Sequence, residues 1–270
     1  MSRIEHIGNN VTLYLGDCLE TIGECPMADV IITDPPFSSG ARTDAGKSVR
    51  GAMLRGDKWK DDWFSHDNLA THGFLFLMRL VGLRLLQQSN PGARAHFFID
   101  WRMYPNLYGA LEASSWVVKN LVVWDKCHFG MGTNYRNQHE LIIYAEKGMA
   151  DFPNHSSGNV IKCPRESAEN HPTEKPISLI ESLIVSSSVR GEMIFDPFMG
   201  SGTTGVAAVK TGRAFCGIEI DERHFDTACS RIEAAQKQPD FFVEKIEQRA
   251  AEIQQTLDLA EAAPAAEAAE

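Results

Sequence analysis

The chain has 270 residues, 43% of them hydrophobic, and a formal net charge of -10 at pH 7. This length and apolar content suit one sizeable α/β domain with a small appendage, and the lack of any apolar run of about 18 residues excludes a membrane-spanning helix. The first residues lack the apolar core of a signal peptide, and the six cysteines form no CxxC pair. We therefore expect a cytoplasmic protein with reduced thiols, no metal centre and no membrane partner.

Apolar patterning predicts strands and helices in alternation along most of the chain. Residues 38–65 and 149–170 show no clear period and are predicted to form long loops. Strands are expected over residues 11–15, 28–33, 93–100, 117–124, 140–145, 192–197 and 213–220, and helices over residues 68–88, 176–189, 203–210 and 222–236. The alternation favours an α/β fold with a mostly parallel sheet.

The chain after residue 240 differs in composition from the domain predicted over residues 1–240. An apolar stripe at helical spacing predicts a helix over residues 241–259. We expect that helix to dock on its own domain, with a homodimer contact as the alternative. Residues 260–270 form an acidic low-complexity tail, which we expect to be disordered.

The charge is distributed unevenly along the chain. Asp240–Glu270 contains eight acidic and two basic residues, whereas Ser38–Lys60 contains six basic and two acidic residues. A basic segment beside a site can bind phosphates even in an acidic chain, although a solvated loop would have the same composition. Both interpretations stay open on charge alone.

The stretch ADVIITDPPFSSG, Ala28–Gly40, ends an apolar strand on an acid, two prolines and an aromatic residue. Proline has no N–H, fixes its own φ and biases the preceding residue away from helix. The turn therefore holds the Asp34 carboxylate and the Pro35 carbonyl stiffly, with Pro36 and Phe37 beyond them. Taken alone, the segment is more simply a strand end followed by a Pro-Pro turn.

The segment FDPFMGSGTTG, Phe195–Gly205, follows one predicted strand and begins a helix with the GxGxxG spacing of a nucleotide-binding turn. Such glycines let a nucleoside approach the backbone closely, and Glu219 closes the next strand where these folds place an acid for ribose hydroxyls. Asp196 stands beside the glycines, where a carboxylate opposes a pyrophosphate but suits an ammonium and a sulfonium. The arrangement favours S-adenosylmethionine over NAD without excluding an NAD-binding oxidoreductase.

The hexapeptide HPTEKP, His171–Pro176, precedes the helix that leads into the glycine-bearing strand. Thr173 offers a hydroxyl and Lys175 an ammonium at a helix N-terminus, where an anion such as a carboxylate is favoured. A surface lysine at a proline-bounded helix start would look the same if the hexapeptide stood alone.

In the order Asp34-Pro35-Pro36-Phe37, HPTEKP and DPFMGSGTT, the three motifs resemble the β class of exocyclic-amino DNA methyltransferases. The resemblance extends from about Val11 to Ile232 and includes LGDCLE and VVWDKCHFGMGTNYRNQHELIIYAEKG. It implies a Rossmann-like methyltransferase fold, with a mostly parallel twisted sheet, helices on both faces and a circularly permuted motif order. The catalytic half then precedes the cofactor half.

The resemblance also implies the reaction, which is transfer of a methyl group from S-adenosylmethionine to adenine N6 in a base flipped out of DNA. Asp34 and the Pro35 carbonyl would accept the amine N–H groups, Pro36 would stiffen the turn and Phe37 would stack on the base. Adenine-modifying members usually carry aspartate before the two prolines and cytosine-N4 members serine, so Asp34 favours adenine. The implied cofactor contacts are Asp17 and Cys18 near the adenine, Glu219 on the ribose, and Thr173, Lys175, Asp196, Phe198, Gly200, Ser201, Gly202 and Thr203 around the methionine moiety.

Larger family members insert a target-recognition region before HPTEKP, where this chain has only residues 149–170. Residues 38–66 and 128–170 are therefore the candidate DNA-facing loops. The candidate DNA contacts are Arg42, Lys47, Arg50, Arg55, Lys126 and Arg136. A cytosine-N4 or RNA enzyme of the same fold stays open, as does a non-catalytic DNA-binding module, although neither central motif is degraded.

Overall fold

A computed structural model describes residues 3–36, 71–130, 134–154, 157–165 and 175–237. The strands of these residues form one nine-stranded sheet. In chain order they are β1 (Arg3–Ile7), β2 (Val11–Leu15), β3 (Ala28–Thr33), β4 (Ser89–Ile99), β5 (Val117–Asp125), β6 (His139–Glu146), β7 (Val160–Lys162), β8 (Met193–Asp196) and β9 (Ala214–Glu219). The helices are α1 (Cys18–Thr21), α2 (Thr71–Gln87), α3 (Tyr104–Ala113), α4 (Ile177–Ser187), α5 (Thr203–Lys210) and α6 (Glu222–Gln236), with a 3-10 turn at Ile22–Glu24.

The strand order in the sheet is β1-β2-β9-β8-β3-β4-β6-β5-β7. Strands β2, β9, β8, β3 and β4 are parallel, whereas β6 is antiparallel to both β4 and β5. The chain winds from β8 to β9 on one side and from β3 to β4 on the other, so its direction reverses between β8 and β3. Open α/β sheets bind ligands at such a switch point, beyond the carboxyl ends of the strands.

Helices cover both faces of the sheet and bury two apolar layers. On one face, α2 places Phe74, Met78 and Leu85 at helical spacing, all fully buried, and α1 and α3 complete the layer. On the other face, α4, α5 and α6 pack through residues such as Ile184 and Ile232. The predicted α/β fold with a mostly parallel sheet and helices on both faces is confirmed, and β3 precedes the β8–α5–β9 unit as the permuted order requires.

The structure adds elements that had not been predicted, one of which is the short helix α1. Strand β1 and helix α3 had not been predicted, because β1 is short and polar and Asn106 and Gly109 dilute the apolar period of α3. Strand β7 lies within residues 149–170, which had been predicted to be irregular, and β6 and β7 both interrupt the candidate loop over residues 128–170. The predicted loop over residues 38–65 and the tail after residue 237 lie outside the described residues. Within the described ranges, none of the helices has both the length and the apolarity to cross a membrane.

Two helical glycines test how tightly α5 packs. A Cβ added at Gly205 in α5 would lie 2.4 Å from Ile232 Cδ1 and 2.7 Å from Phe215 Cε1, whereas a Cβ at Gly109 in α3 would meet nothing within 4 Å. Overpacking should make Gly205→Ala lower the free energy of unfolding by about 1–3 kcal/mol. Gly109→Ala should instead raise it by about 0.5–1 kcal/mol. Urea unfolding of both variants measures the difference, and equal effects would contradict this account of the packing.

Candidate active site

Carboxylates collect at one edge of the sheet. Asp17 follows β2, Asp34 follows β3, Asp196 ends β8 and Glu219 ends β9. These four strands are parallel, so their carboxyl ends meet at the same edge. Glu140 joins them from the amino end of β6, because β6 runs in the opposite direction. The edge on both sides of the switch point is therefore the candidate active site.

Asp196 is 3% exposed and ties the two halves of the sheet together. Its Oδ1 accepts hydrogen bonds from Thr33 Oγ1 at 2.7 Å and from the Phe198 N–H at 3.1 Å, and its Oδ2 accepts one from Thr204 Oγ1 at 2.7 Å. Burial nevertheless raises the pKa of Asp196 to about 6, and the neighbouring Asp34 carboxylate adds to the increase. The sequence had not assigned a role to Thr33 or Thr204, although their hydroxyls at a strand end and a helix start are the available signal.

The glycine turn between β8 and α5 is held by Glu219. Oε2 of this carboxylate accepts the Gly200 N–H at 2.8 Å, and Oε1 accepts the N–H groups of Ile220 and Asp221 at 3.0 and 2.8 Å. Burial raises the pKa of Glu219 despite these three bonds. The predicted ribose-binding acid is therefore also the residue that fixes the turn.

A second brace on the turn comes from Arg231 in α6, which the sequence had not singled out. Its Nη1 donates to the Ser201 carbonyl at 2.7 Å and to Ser201 Oγ at 2.8 Å, with Thr203 Oγ1 at 3.3 Å. The predicted cofactor residues Ser201 and Thr203 are thus immobilised by the neighbouring helix.

The three glycines of the turn meet different demands. Gly200 and Gly202 have φ of 52° and 82°, in the left-handed region that favours glycine. A Cβ at Gly202 would lie 2.8 Å from the Cβ of Ala228, and Gly205 is similarly closed by its neighbours, whereas a Cβ at Gly200 would face open space. That a ligand approaches the backbone closely at these glycines stays a prediction. Gly202 and Gly205 are required by packing inside the protein, and Gly200 is the glycine that faces open space.

On the β2 side, Asp17 and Cys18 form the start of α1. The Asp17 side chain is the N-cap, accepting the Leu19 N–H at 2.8 Å, and it is exposed at the edge. Cys18 is buried, and this burial raises the pKa of its thiol to about 12. Phe198 packs against the same apolar cluster as Cys18, so the two supply an apolar wall next to the glycine turn.

Asp34 lies on the other side of the switch point and forms an ion pair with Lys175. The Lys175 ammonium donates to Asp34 Oδ2, while Asp34 Oδ1 is buried and has no hydrogen-bond partner among the described residues. Burial raises the pKa of Asp34 even though the ammonium opposes the increase. Lys175 had been predicted to lie near a cofactor carboxylate, which stays a prediction, and the structure adds its contact with Asp34.

Glu140 is a site residue that the sequence analysis did not identify. Its Oε2 lies 3.4 Å from Lys175 Nζ, and its Oε1 lies 2.5 Å from Lys126 Nζ and 3.6 Å from an Arg165 guanidinium nitrogen. Burial would raise the pKa of Glu140, but these three cations outweigh it and lower the pKa. The signal that could have identified Glu140 is an acid beginning an otherwise apolar strand.

The predicted DNA contacts fall into three groups. The Lys126 side chain is 11% exposed and paired with Glu140, so the structure gives its ammonium a protein partner. Arg136 is exposed, and its guanidinium carbon lies 3.5 Å from the ring centre of Phe129. The remaining predicted site residues lie outside the described ranges, namely Phe37, Arg42, Lys47, Arg50, Arg55 and Thr173.

Comparison with known proteins points to the class of enzyme that the three sequence motifs resemble. The pattern of the N6/N4 DNA methylase family matches residues 28–162 and 150–230. The DNA adenine methyltransferase YhdJ of Escherichia coli strain K12 is 28% identical over 266 residues, which cover 83% of each chain. The crystal structure of the M1.HpyAVI complex with S-adenosylmethionine superposes with a TM-score of 0.63 at 25% identity, covering 82% of this chain and 98% of that one. The cytosine-N4-specific PvuII DNA methyltransferase superposes with a TM-score of 0.63 at 15% identity over 83% of this chain and 86% of its own, a likeness of fold.

The fold and the carboxylate-lined edge define a methyltransferase of the class that takes its methyl group from S-adenosylmethionine, as the sequence predicted. Since the family pattern spans most of the chain, the protein belongs to the N6/N4 DNA methylase family. It is therefore a DNA amino-methyltransferase.

The raised pKa of Asp196 makes a prediction about stability. An aspartate whose pKa is about 6 in the folded protein, against an ordinary pKa of 3.8, favours the folded state increasingly as the pH falls through 6. Relative to Asp196→Asn, the wild-type protein should therefore gain about 1 kcal/mol of unfolding free energy between pH 7.5 and pH 5. Denaturant unfolding of both proteins at the two pH values measures it. A difference of the opposite sign would mean that the Asp196 pKa is not raised.

Proposed function

We propose that this protein methylates the N6 amino group of adenine in DNA. The observation that carries the proposal is Asp34, whose Oδ1 is buried at the switch point without a partner among the described residues. A buried acceptor without a donor costs free energy, so a bound group that donates an N–H to this oxygen is favoured. The exocyclic amine of a flipped-out base is a donor of this kind.

The chemistry requires two acceptors at the amine. The lone pair of an adenine N6 amine is delocalised into the ring, so the nitrogen becomes a better nucleophile when both of its N–H groups are bound. We assign one N–H to Asp34 Oδ1 and the other to the Pro35 carbonyl. Pro35 is buried and Pro36 follows it, so both acceptors are held in place before the base arrives. Stacking of Phe37 on the base belongs to the same proposal.

S-adenosylmethionine supplies a methyl group activated by its sulfonium, and the chain's own residues fit it beside Asp34. The Asp196 carboxylate suits the ammonium of the methionine moiety, since each carboxylate oxygen can accept more than one hydrogen bond. The open space at Gly200 leaves room for backbone contact. Glu219 is proposed for the ribose, and Asp17 with Cys18 for the adenine. Thr173 keeps its proposed place near the methionine carboxylate, and the contacts of Lys175 assign that residue chiefly to Asp34.

The DNA path is proposed over two segments of the chain. Arg42, Lys47, Arg50 and Arg55 belong to the basic segment directly after the Asp34 turn, where phosphate contacts would position a flipped base. Arg136 adds an exposed cation stacked on Phe129, on the connection between β5 and β6. An arginine held on an aromatic ring loses less side-chain freedom when it binds a phosphate.

Cytosine N4 is the second candidate for the modified base. Its amine has the same two N–H groups, and the PvuII enzyme, which shares the fold, is cytosine-N4-specific. Aspartate rather than serine at position 34 favours adenine by analogy with the family. The YhdJ relative, which is named as an adenine enzyme, supports the same choice.

The identity of the base is tested by the product. DNA treated with the purified protein and isotopically labelled S-adenosylmethionine should, after digestion to nucleosides, carry the label in N6-methyldeoxyadenosine. Mass spectrometry separates this nucleoside from N4-methyldeoxycytidine, and label in cytosine alone would replace adenine with the second candidate. RNA treated in parallel shows whether the enzyme requires DNA.

The role of Asp34 is tested by Asp34→Asn, which keeps the shape and removes the charge. We expect kcat to fall by at least about a hundredfold because an amide is a weaker acceptor, with little change in the Kd for S-adenosylmethionine. Asp29→Asn is the matched control, because Asp29 lies at the opposite end of β3 and binds Asn90 and the Met193 N–H. The control should lower the Tm while kcat stays near the wild-type value. Full turnover by Asp34→Asn would remove the basis of the proposed function.

A further inference from the structure

Glu140 lies in the middle segment of the family resemblance, where the sequence analysis assigned it no role, and the structure places it within the charged cluster around Asp34. It reaches the site because β6 is inserted antiparallel between β4 and β5, so that its amino end lies among the carboxyl ends of the other strands. Its pairing partner on the neighbouring strand β5 is Trp124. The position is therefore set by the sheet rather than by a loop.

Glu140 contacts two lysines, and aromatic rings confine both. Its Oε2 is 3.4 Å from Lys175 Nζ and its Oε1 is 2.5 Å from Lys126 Nζ. Lys175 Nζ lies 5.1 Å from the Phe98 ring centre, and Lys126 Nζ lies 5.0 Å from that of Trp124. The Lys175 ammonium is thus held between the two carboxylates of Asp34 and Glu140, with its side chain 12% exposed.

Methyl transfer changes the charge on one of these two carboxylates. The amine nitrogen forms a bond to the methyl carbon while the sulfur–carbon bond breaks, and the bonding pair stays on sulfur as a neutral thioether. The nitrogen is then positive until one of its protons leaves, and the nearest acceptor in the proposed arrangement is Asp34 Oδ1. Once Asp34 is protonated, Lys175 has lost a counter-ion, and an unpaired buried ammonium is costly.

We propose that Glu140 is a positioning residue of methyl transfer, acting as the permanent counter-ion that holds Lys175 against Asp34 while Asp34 gains and releases a proton. The inference rests on the proposed role of Asp34 as amine acceptor and is independent of which base carries the amine. Lys126 and Arg165 hold Glu140 in turn, so that it stays ionised throughout.

Glu140 also keeps Asp34 basic enough to take the proton. The charged groups around Asp34 come from five elements in the described part of the chain: Lys175 before α4, Lys126 after β5, Arg165 after β7, and the carboxylates Glu140 on β6 and Asp196 on β8. Removing the charge of Glu140 leaves the three cations opposed by one carboxylate fewer. Asp34 should then remain ionised to lower pH and accept a proton less readily.

The test is Glu140→Gln, assayed by transfer of labelled methyl to DNA at saturating substrates across pH 5–9. We expect kcat at pH 7.5 to fall by about tenfold. The acid limb of the profile of kcat against pH should shift to lower pH by about one unit. The KM for S-adenosylmethionine should change less than about twofold, since Glu140 acts on Asp34 and not on the cofactor. Glu140→Asp should restore the acid limb, because it restores the charge.

The matched control is Glu146→Gln at the other end of the same strand. Glu146 is buried, accepts the Tyr144 hydroxyl and lies 3.5 Å from Lys119 Nζ, so the control also loses a hydrogen bond and an ion pair. Its Tm should fall, while the acid limb stays at the wild-type position. If Glu140→Gln lowers the Tm and leaves the acid limb unmoved, Glu140 is structural and the proposal is overturned.

A double-mutant cycle with Lys175→Met tests whether the effect of Glu140 on kcat depends on Lys175. If Glu140 acts through Lys175, Glu140→Gln should reduce kcat by less than about twofold in the Lys175→Met background. A full tenfold reduction there would overturn the proposal. Lys175→Arg serves as the background if Lys175→Met does not fold, and Glu140→Gln should then still move the acid limb. Failure of the proposed function would look different, because Asp34→Asn would then retain turnover.

Discussion

Parallel strands that end at one edge place their terminal acids side by side, and the structure depends on how those charges are compensated. Each carboxylate of the edge is met by different chemistry: Asp196 by two threonine hydroxyls, Glu219 by three backbone N–H groups, and Glu140 by lysines. Asp34 is compensated on one oxygen by Lys175, and of these four it is the carboxylate with an oxygen left without a partner in the described structure. The difference separates acids that build the site from the acid that is available to react.

The hydrogen bond between Thr33 and Asp196 joins the two functions of the site. Thr33 is the residue before Asp34, and Asp196 begins the glycine turn, so a 2.7 Å contact fixes the distance between the proposed amine acceptor and the proposed methionine subsite. Methyl transfer requires nitrogen, carbon and sulfur in line, and misplacement of a reacting group by about 1 Å can cost a hundredfold in rate. The buried hydrogen bond between Thr33 and Asp196 holds the two halves of the site at the fixed separation that this alignment requires.

The sequence predicted the fold and the Asp34, Asp196 and Glu219 parts of the edge because these depend on local patterns. Apolar runs ending in Asp-Pro-Pro or Asp-Pro-Phe indicate strand ends, and the GxGxxG spacing places the turn correctly before α5. Glu140 and Arg231 were missed because their partners are distant in sequence, Lys175 in one case and Ser201 in the other. The packing of Gly202 against Ala228 in α6 was not predicted, because spacing along the sequence cannot show a tertiary contact.

The pairing of β5 with β6 determines where a residue can be inserted or deleted without displacing Glu140 from the site. Trp124 pairs with Glu140, and the pairing is regular from Asn120 to Asp125, whereas a bulge between Val118 and Asn120 leaves Lys119 as an extra residue. Deleting Lys119 would remove the bulge and leave Glu140 in register, at the loss of the ion pair between Lys119 and Glu146. Deleting one residue between positions 120 and 124 would instead slide the strands and turn alternate side chains to the opposite face. Natural insertions and deletions should therefore accumulate at the bulge and spare the five residues that follow it.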